Sequence, residues 1–119
     1  MNARWSLVLG ALAGMTGVML GAFGSHALEG VLSAARLAVW ETGVRYQLVH
    51  ALALVAVALL ARGGDSGWLR AAAVTLGLGL VIFPGSLYAL CLTGIGAFGA
   101  VTPIGGVLWI VGWALLLVH

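Results

Sequence analysis

The chemistry open to this chain is concentrated in one stretch, Trp40 to His50, which reads WETGVRYQLVH. Glu41, Arg45, Tyr46, Gln47 and His50 place a carboxylate, a guanidinium, a phenol, an amide and an imidazole within ten residues. Such a set can pass a proton, hold a polar solute, or tie helices together by hydrogen bonds. On a helix, Arg36, Gly43, Gln47 and His50 share one side, with Tyr46 at its margin. Glu41 and Arg45 fall on the other side, four apart in the order that favours an ion pair. The stretch then runs without a break into ALALVAVALLA. Ionisable groups carried into so apolar a setting are expensive unless they are paired or used.

Other reactive side chains lie in the remaining apolar segments. His26 ends the first, Ser86 and Tyr88 follow Pro84 in the third, and Thr102 precedes Pro103 at the start of the fourth. His26 and His50 with a carboxylate would be the materials of a metal site. No HxxxH or ExxH spacing supports one, and the two histidines belong at different depths, so no metal is expected. Ser86 lacks the GxSxG setting of a hydrolase nucleophile. No catalytic residue, cofactor or enzymatic activity is expected.

The elements that must position these groups follow from composition. Of the 119 residues, 63% are hydrophobic and 7% charged, where soluble domains average about 25% charged. A soluble core this small could not hide so much apolar surface. The net charge of +2 reflects few charges in total, not a basic patch, and offers nothing to a nucleic acid. Cys91 is the only cysteine and has no intrachain partner. Four segments approach or exceed the ~17–25 residues needed to span a bilayer: about 5–24, 34–61, 69–92 and 103–118. The expected fold is all-α and integral to the membrane, a single domain of four transmembrane helices in a compact antiparallel bundle. Residues 1–27 have the outline of a cleaved leader, but their apolar stretch is about as long as a full span, so they are read as the first helix.

Ser33 is the expected N-cap of the second helix, and Thr102 with Pro103 the N-cap and first-turn pair of the fourth. Arg62 to Gly67 is a short turn, and Thr93 to Pro103 a glycine-rich connection. The arginines favour both termini in the cytoplasm, with Arg4, Arg62 and Arg70 inside. Gly10, Gly14, Gly17, Gly21 and Gly24 line one face of the first helix, where glycine lets backbones approach. That seam can serve the bundle itself or a second copy. Gly77, Gly85, Gly105 and Gly112 offer similar faces on helices three and four.

Counting back from Ala61, His50 lies about 16 Å up its helix, near mid-membrane, at ~1.5 Å per residue. A standing charge there is costly, so a neutral imidazole is expected. Pro84 should kink the third helix and leave carbonyls near Ser86 and Tyr88 unpaired. His26, Glu41, Arg45, Tyr46, Gln47, His50, Ser86, Tyr88 and Thr102 are thus expected in one polar cluster in the outer half of the membrane. It either fixes the bundle by interhelical hydrogen bonds or lines a cavity for water, an ion or a lipid head group.

Four motifs then carry a resemblance: GAFGSHAL (Gly21 to Leu28), ETGVRYQLVHALAL (Glu41 to Leu54), PGSLYALCLTG (Pro84 to Gly94), and TPIGG (Thr102 to Gly106) followed by Gly112 and Trp113. In that order they resemble the domain-of-unknown-function 423 family of small bacterial inner-membrane proteins, similar to the eukaryotic transmembrane protein 256 family. The resemblance covers nearly the whole chain. It implies a four-helix integral membrane protein and brings no activity, cofactor or catalytic residue to carry over. The family's third motif usually has serine where Pro84 stands here. Two functions remain in view: a structural or accessory bundle that contacts membrane lipids, a second copy or another membrane protein, and a carrier of a small solute, proton or lipid through the polar cluster.

Overall fold

The computed structural model describes all residues from Met1 to His119. Four helices make up nearly all of it: α1 Ala3–His26, α2 Ala34–Arg62, α3 Gly67–Thr93 and α4 Ala97–Val118. Each is long and apolar enough to cross a membrane. Helices are the form that satisfies every backbone polar group within one segment, as a bilayer requires.

Local chemistry sets the ends. Asn2, Ser33 and Ser66 cap α1, α2 and α3, each accepting from the backbone N–H three residues on. Gly94 ends α3 at φ +71°, the left-handed C-cap that glycine adopts without a side-chain clash. The α1–α2 connection is held from inside by Leu28, which is buried with Trp40, Val44 and Cys91.

Two expectations are corrected. α4 begins at Ala97, six residues earlier than the sequence suggested, because Gly94, Ile95 and Gly96 suffice for the turn and AFGAVT is otherwise helix-compatible. Thr102 and Pro103 therefore sit inside α4, not at its start. Pro84 also lies within a continuous α3. The carbonyl its missing N–H leaves without a partner belongs to Leu80, one turn back, and not to the region of Ser86 and Tyr88.

The helices pack as two tight hairpins, α1 with α2 and α3 with α4, joined by α2 against α3. α1 touches α3 lightly, and the molecule is a flattened slab of 48 × 25 × 17 Å. The buried interior has two apolar clusters. One, nearer the chain termini, holds Leu54, Val57, Leu69, Leu76 and Trp109. The other, at the far end, is the group around Trp40. On α2 the residues between them are Gln47 and His50, both buried.

Candidate functional site

Gln47 ties three helices together. Its Nε2 donates to the Ala13 carbonyl at 2.9 Å and to Thr16 Oγ1 at 3.0 Å on α1. Its Oε1 accepts from the Tyr88 hydroxyl on α3 at 2.7 Å. Both amide hydrogens and the carbonyl oxygen are thereby engaged. Thr16 in turn donates to the Leu12 carbonyl at 2.8 Å. Tyr88 reaches Gln47 because Gly43 has no side chain in the way: a Cβ there would lie 2.9 Å from the Tyr88 ring.

His50 faces α4. Its Nδ1 lies 2.8 Å from the Tyr46 carbonyl, and its Nε2 lies 3.0 Å from the Trp113 indole nitrogen. A carbonyl can only accept and an indole N–H can only donate. The two contacts together require the neutral imidazole with its proton on Nδ1. The ring also lies flat on Trp109, with centroids 3.7 Å apart and planes within 5°. Trp109 is itself fixed by an N–H bond to the Leu76 carbonyl on α3. Tyr46 packs its ring against Phe83 and Trp109 and stays partly exposed.

A third polar contact joins α3 and α4. Ser86 Oγ and Thr102 Oγ1 are 2.6 Å apart. The Ser86 hydroxyl is also placed to donate to the Phe83 carbonyl, and the Thr102 hydroxyl to that of Phe98. The nine residues expected in one cluster therefore divide. Gln47 with Tyr88 and Ser86 with Thr102 are two separate contacts between helices, while His50 pairs with Tyr46 within α2 and reaches α4 through Trp113. Glu41, Arg45 and His26 stand apart, exposed, at the end of the bundle away from the chain termini. The expected Glu41–Arg45 ion pair is absent; the one ion pair joins Arg70 to Asp65 at 3.1 Å. Glu41 and Arg45 are both exposed, and an exposed pair gains little from closing.

Sequence reasoning missed Thr16, Trp40, Trp109 and Trp113. The tryptophans had a readable signal. An indole N–H buried in an apolar helix must find an acceptor, and Trp109 and Trp113 are one turn apart on one face of α4. Trp40 behaves alike, donating to the Leu20 carbonyl at 3.0 Å. Each of these carbonyl contacts needs a glycine. A Cβ on Gly24 would strike the Trp40 indole, and one on Gly79 the Trp109 indole.

The α1 seam faces α2. A Cβ on Gly10 would meet Val55 at 2.8 Å, and one on Gly17 would meet Leu48 at 2.8 Å. Gly21 would meet Val44 at 3.1 Å, while Gly14 has only Ala51 at 4.0 Å. Gly105 and Gly112 pack on Phe83 and on Leu76 with Thr75. Gly85 faces open space, and Gly77 meets only Met1, at 3.5 Å, so neither seats a neighbouring helix.

Beside Gln47 a groove of about 260 Å³ opens between α1 and α3, lined by Leu9, Leu12, Thr16, Leu80 and Val81 among others. It is mainly apolar, with Gln47 and Thr16 as its polar side chains.

Four apolar helices joined by buried polar contacts define a multi-pass helical membrane protein. Within that class the chain belongs to the family described as "Protein of unknown function (DUF423)", whose model matches residues 20–106. It is 48% identical over 118 residues to UPF0382 membrane protein SSP2132 of Staphylococcus saprophyticus, covering 94% of this chain and 92% of the relative. It is 44% identical to UPF0382 membrane protein YwdK of Bacillus subtilis, covering 94% and 92%. It is 41% identical to UPF0382 inner membrane protein YgdD of Escherichia coli K12, covering 99% and 90%. No solved structure matches the chain.

Proposed function

We propose that the protein is a non-enzymatic structural or accessory bundle of the bacterial inner membrane, with both termini in the cytoplasm. Its polar residues hold four helices in register so that their outer faces are presented to lipid, to a second copy or to another membrane protein. The supporting observation is that no buried side-chain nitrogen or oxygen lacks a hydrogen-bond partner within the chain. A polar group held in this way is a fastener, and displacing its partner to admit a solute would forfeit that bond. The location follows from the relative named an inner membrane protein. The arginines at Arg4, Arg62 and Arg70 support the placement of the termini.

A second reading rests on the groove beside Gln47, which is mainly apolar with Gln47 and Thr16 as its polar side chains and opens between α1 and α3. There the chain would carry a small solute, a proton or a lipid. Reconstitution separates the two. Liposomes holding the purified protein should leak protons and small polar solutes no faster than empty ones, and Gln47→Leu should lower stability without altering flux. A flux that Gln47→Leu or His50→Leu abolishes would establish the carrier instead.

A further inference from the structure

The α1/α2 seam has a second edge, on the side of α1 opposite the Gln47 groove. At the end nearest the chain termini a groove of about 340 Å³ is lined by Arg4 and Leu7 of α1 and by Leu59 and Arg62 of α2. Along the same two helix stripes a second groove of about 440 Å³ follows, through Ala11, Gly14 and Val18 on one wall and Val55, Leu52 and Leu48 on the other. The two lie end to end along this edge of the seam, a cationic mouth followed by an apolar crevice.

The mouth has no counter-charge of its own. The chain's one ion pair, Arg70 with Asp65, involves neither Arg4 nor Arg62. Arg62 is the last residue of α2, where a cation suits the helix dipole. Arg4 is the opposite case. It lies in the first turn of α1, where no acidic residue stands, and adds its charge to the positive end of the dipole. An anion between the two guanidiniums would satisfy both, and their planar forks match phosphate oxygens.

We propose that this crevice binds one anionic glycerophospholipid, its phosphate between Arg4 and Arg62 and one acyl chain laid along the apolar walls past Gly14. The lengths agree. From Arg62 to Leu48 is about 21 Å at ~1.5 Å per residue. One leaflet offers roughly 15 Å of hydrocarbon, half of a ~30 Å core. Gly14 leaves room for the chain, since its nearest neighbour across the seam is Ala51 at 4.0 Å from a built Cβ. A second copy fits the crevice less well. A two-fold pair across it would bring four arginines together at one end without a carboxylate to separate them.

The experiment measures lipid retained by the full-length protein, by native mass spectrometry after equilibration with phosphatidylglycerol and phosphatidylcholine of identical acyl chains. Wild type should retain phosphatidylglycerol in preference. Arg4→Gln/Arg62→Gln should lose roughly 30-fold of that preference, at about fivefold per arginine near a membrane surface. Gly14→Leu should also expel the lipid, by filling the crevice with both arginines intact. Glycerol phosphate without acyl chains should not compete. Equal retention of the two lipids by wild type, or unchanged preference in the double variant, would overturn the site. So would competition by glycerol phosphate with Gly14→Leu indifferent, or an Ala11→Cys protein that cross-links efficiently to a second copy in membranes. If the double arginine variant does not fold, the wild-type comparison and Gly14→Leu still decide.

Discussion

His50 shows how a single residue is fixed by what its neighbours can do. Tyr46 offers a carbonyl, Trp113 offers an N–H, and only the Nδ1-protonated neutral ring meets both. Nitrogen-15 NMR of histidine-labelled protein at neutral pH should show that tautomer, and an imidazolium signature would refute the arrangement. Replacing His50 by leucine strands the Trp113 indole and removes the plate stacked on Trp109. The expected loss is about 1–2 kcal/mol, near the upper range for interhelical hydrogen bonds in membranes. Detergent unfolding measures it, and in a cycle with Trp113→Phe the two substitutions should be clearly non-additive. Gln47→Leu should cost more than Tyr88→Phe, because it abandons the Tyr88 hydroxyl together with two donations to α1. Of these residues, Gln47, His50 and Tyr88 were legible from type and depth. Their partners were not: which helix each side chain meets depends on rotation about the helix axis, and an apolar run such as α4 carries no mark of its own. That is why His50, expected among Tyr46, Gln47 and the Pro84 region, keeps Tyr46 but turns its other nitrogen to Trp113.

At the scale of elements, glycine is what lets these helices share polar groups. The alternating spacing of Gly10, Gly14, Gly17, Gly21 and Gly24 announced a packing face, and the structure lays that face on α2. Spacing alone could not rank the positions, since tightness depends on which α2 residue lies opposite. Gly17→Ala and Gly10→Ala should lower thermal stability in detergent, because the added methyl would sit 2.8 Å from Leu48 or Val55. Gly14→Ala should be neutral or stabilising. Alanine is the better helix former by roughly 1 kcal/mol, and the nearest atom is 4.0 Å away. If all three variants melted alike, the close approach of α1 to α2 would be wrong. Gly79 carries the same logic to the other hairpin: a Cβ there would push Trp109 from the Leu76 carbonyl. Helix ends were partly readable. Ser33 capped α2 as expected, whereas α4 started early because three residues were enough for the turn and proline is tolerated within it.

For the whole molecule, the slab places the polar contacts of Gln47 and His50 between two apolar clusters and leaves both broad faces greasy. The helices alternate in direction, so the starts of α1 and α3 and the ends of α2 and α4 share one surface. The contact of Ser66 Oγ with His119 Nδ1, 3.3 Å apart, ties the chain's last residue to the α3 cap there. Three arginines and one aspartate lie at this surface, against two arginines and two glutamates in Glu29, Arg36, Glu41 and Arg45 at the other. Trp5 and Trp68 are exposed beside the first set, where amphipathic rings settle at the membrane–water boundary. This asymmetry sets the expected orientation. Cysteines placed at Asn2 and Asp65 should react with a membrane-impermeant thiol reagent only after the cytoplasmic side is opened, and one at Glu29 should react in intact spheroplasts. The native Cys91 will not obscure the result, being buried against the Arg36 carbonyl. Labelling of position 2 or 65 from outside would invert the molecule. It would also move the cationic crevice of Arg4 and Arg62 to the opposite leaflet without changing its shape.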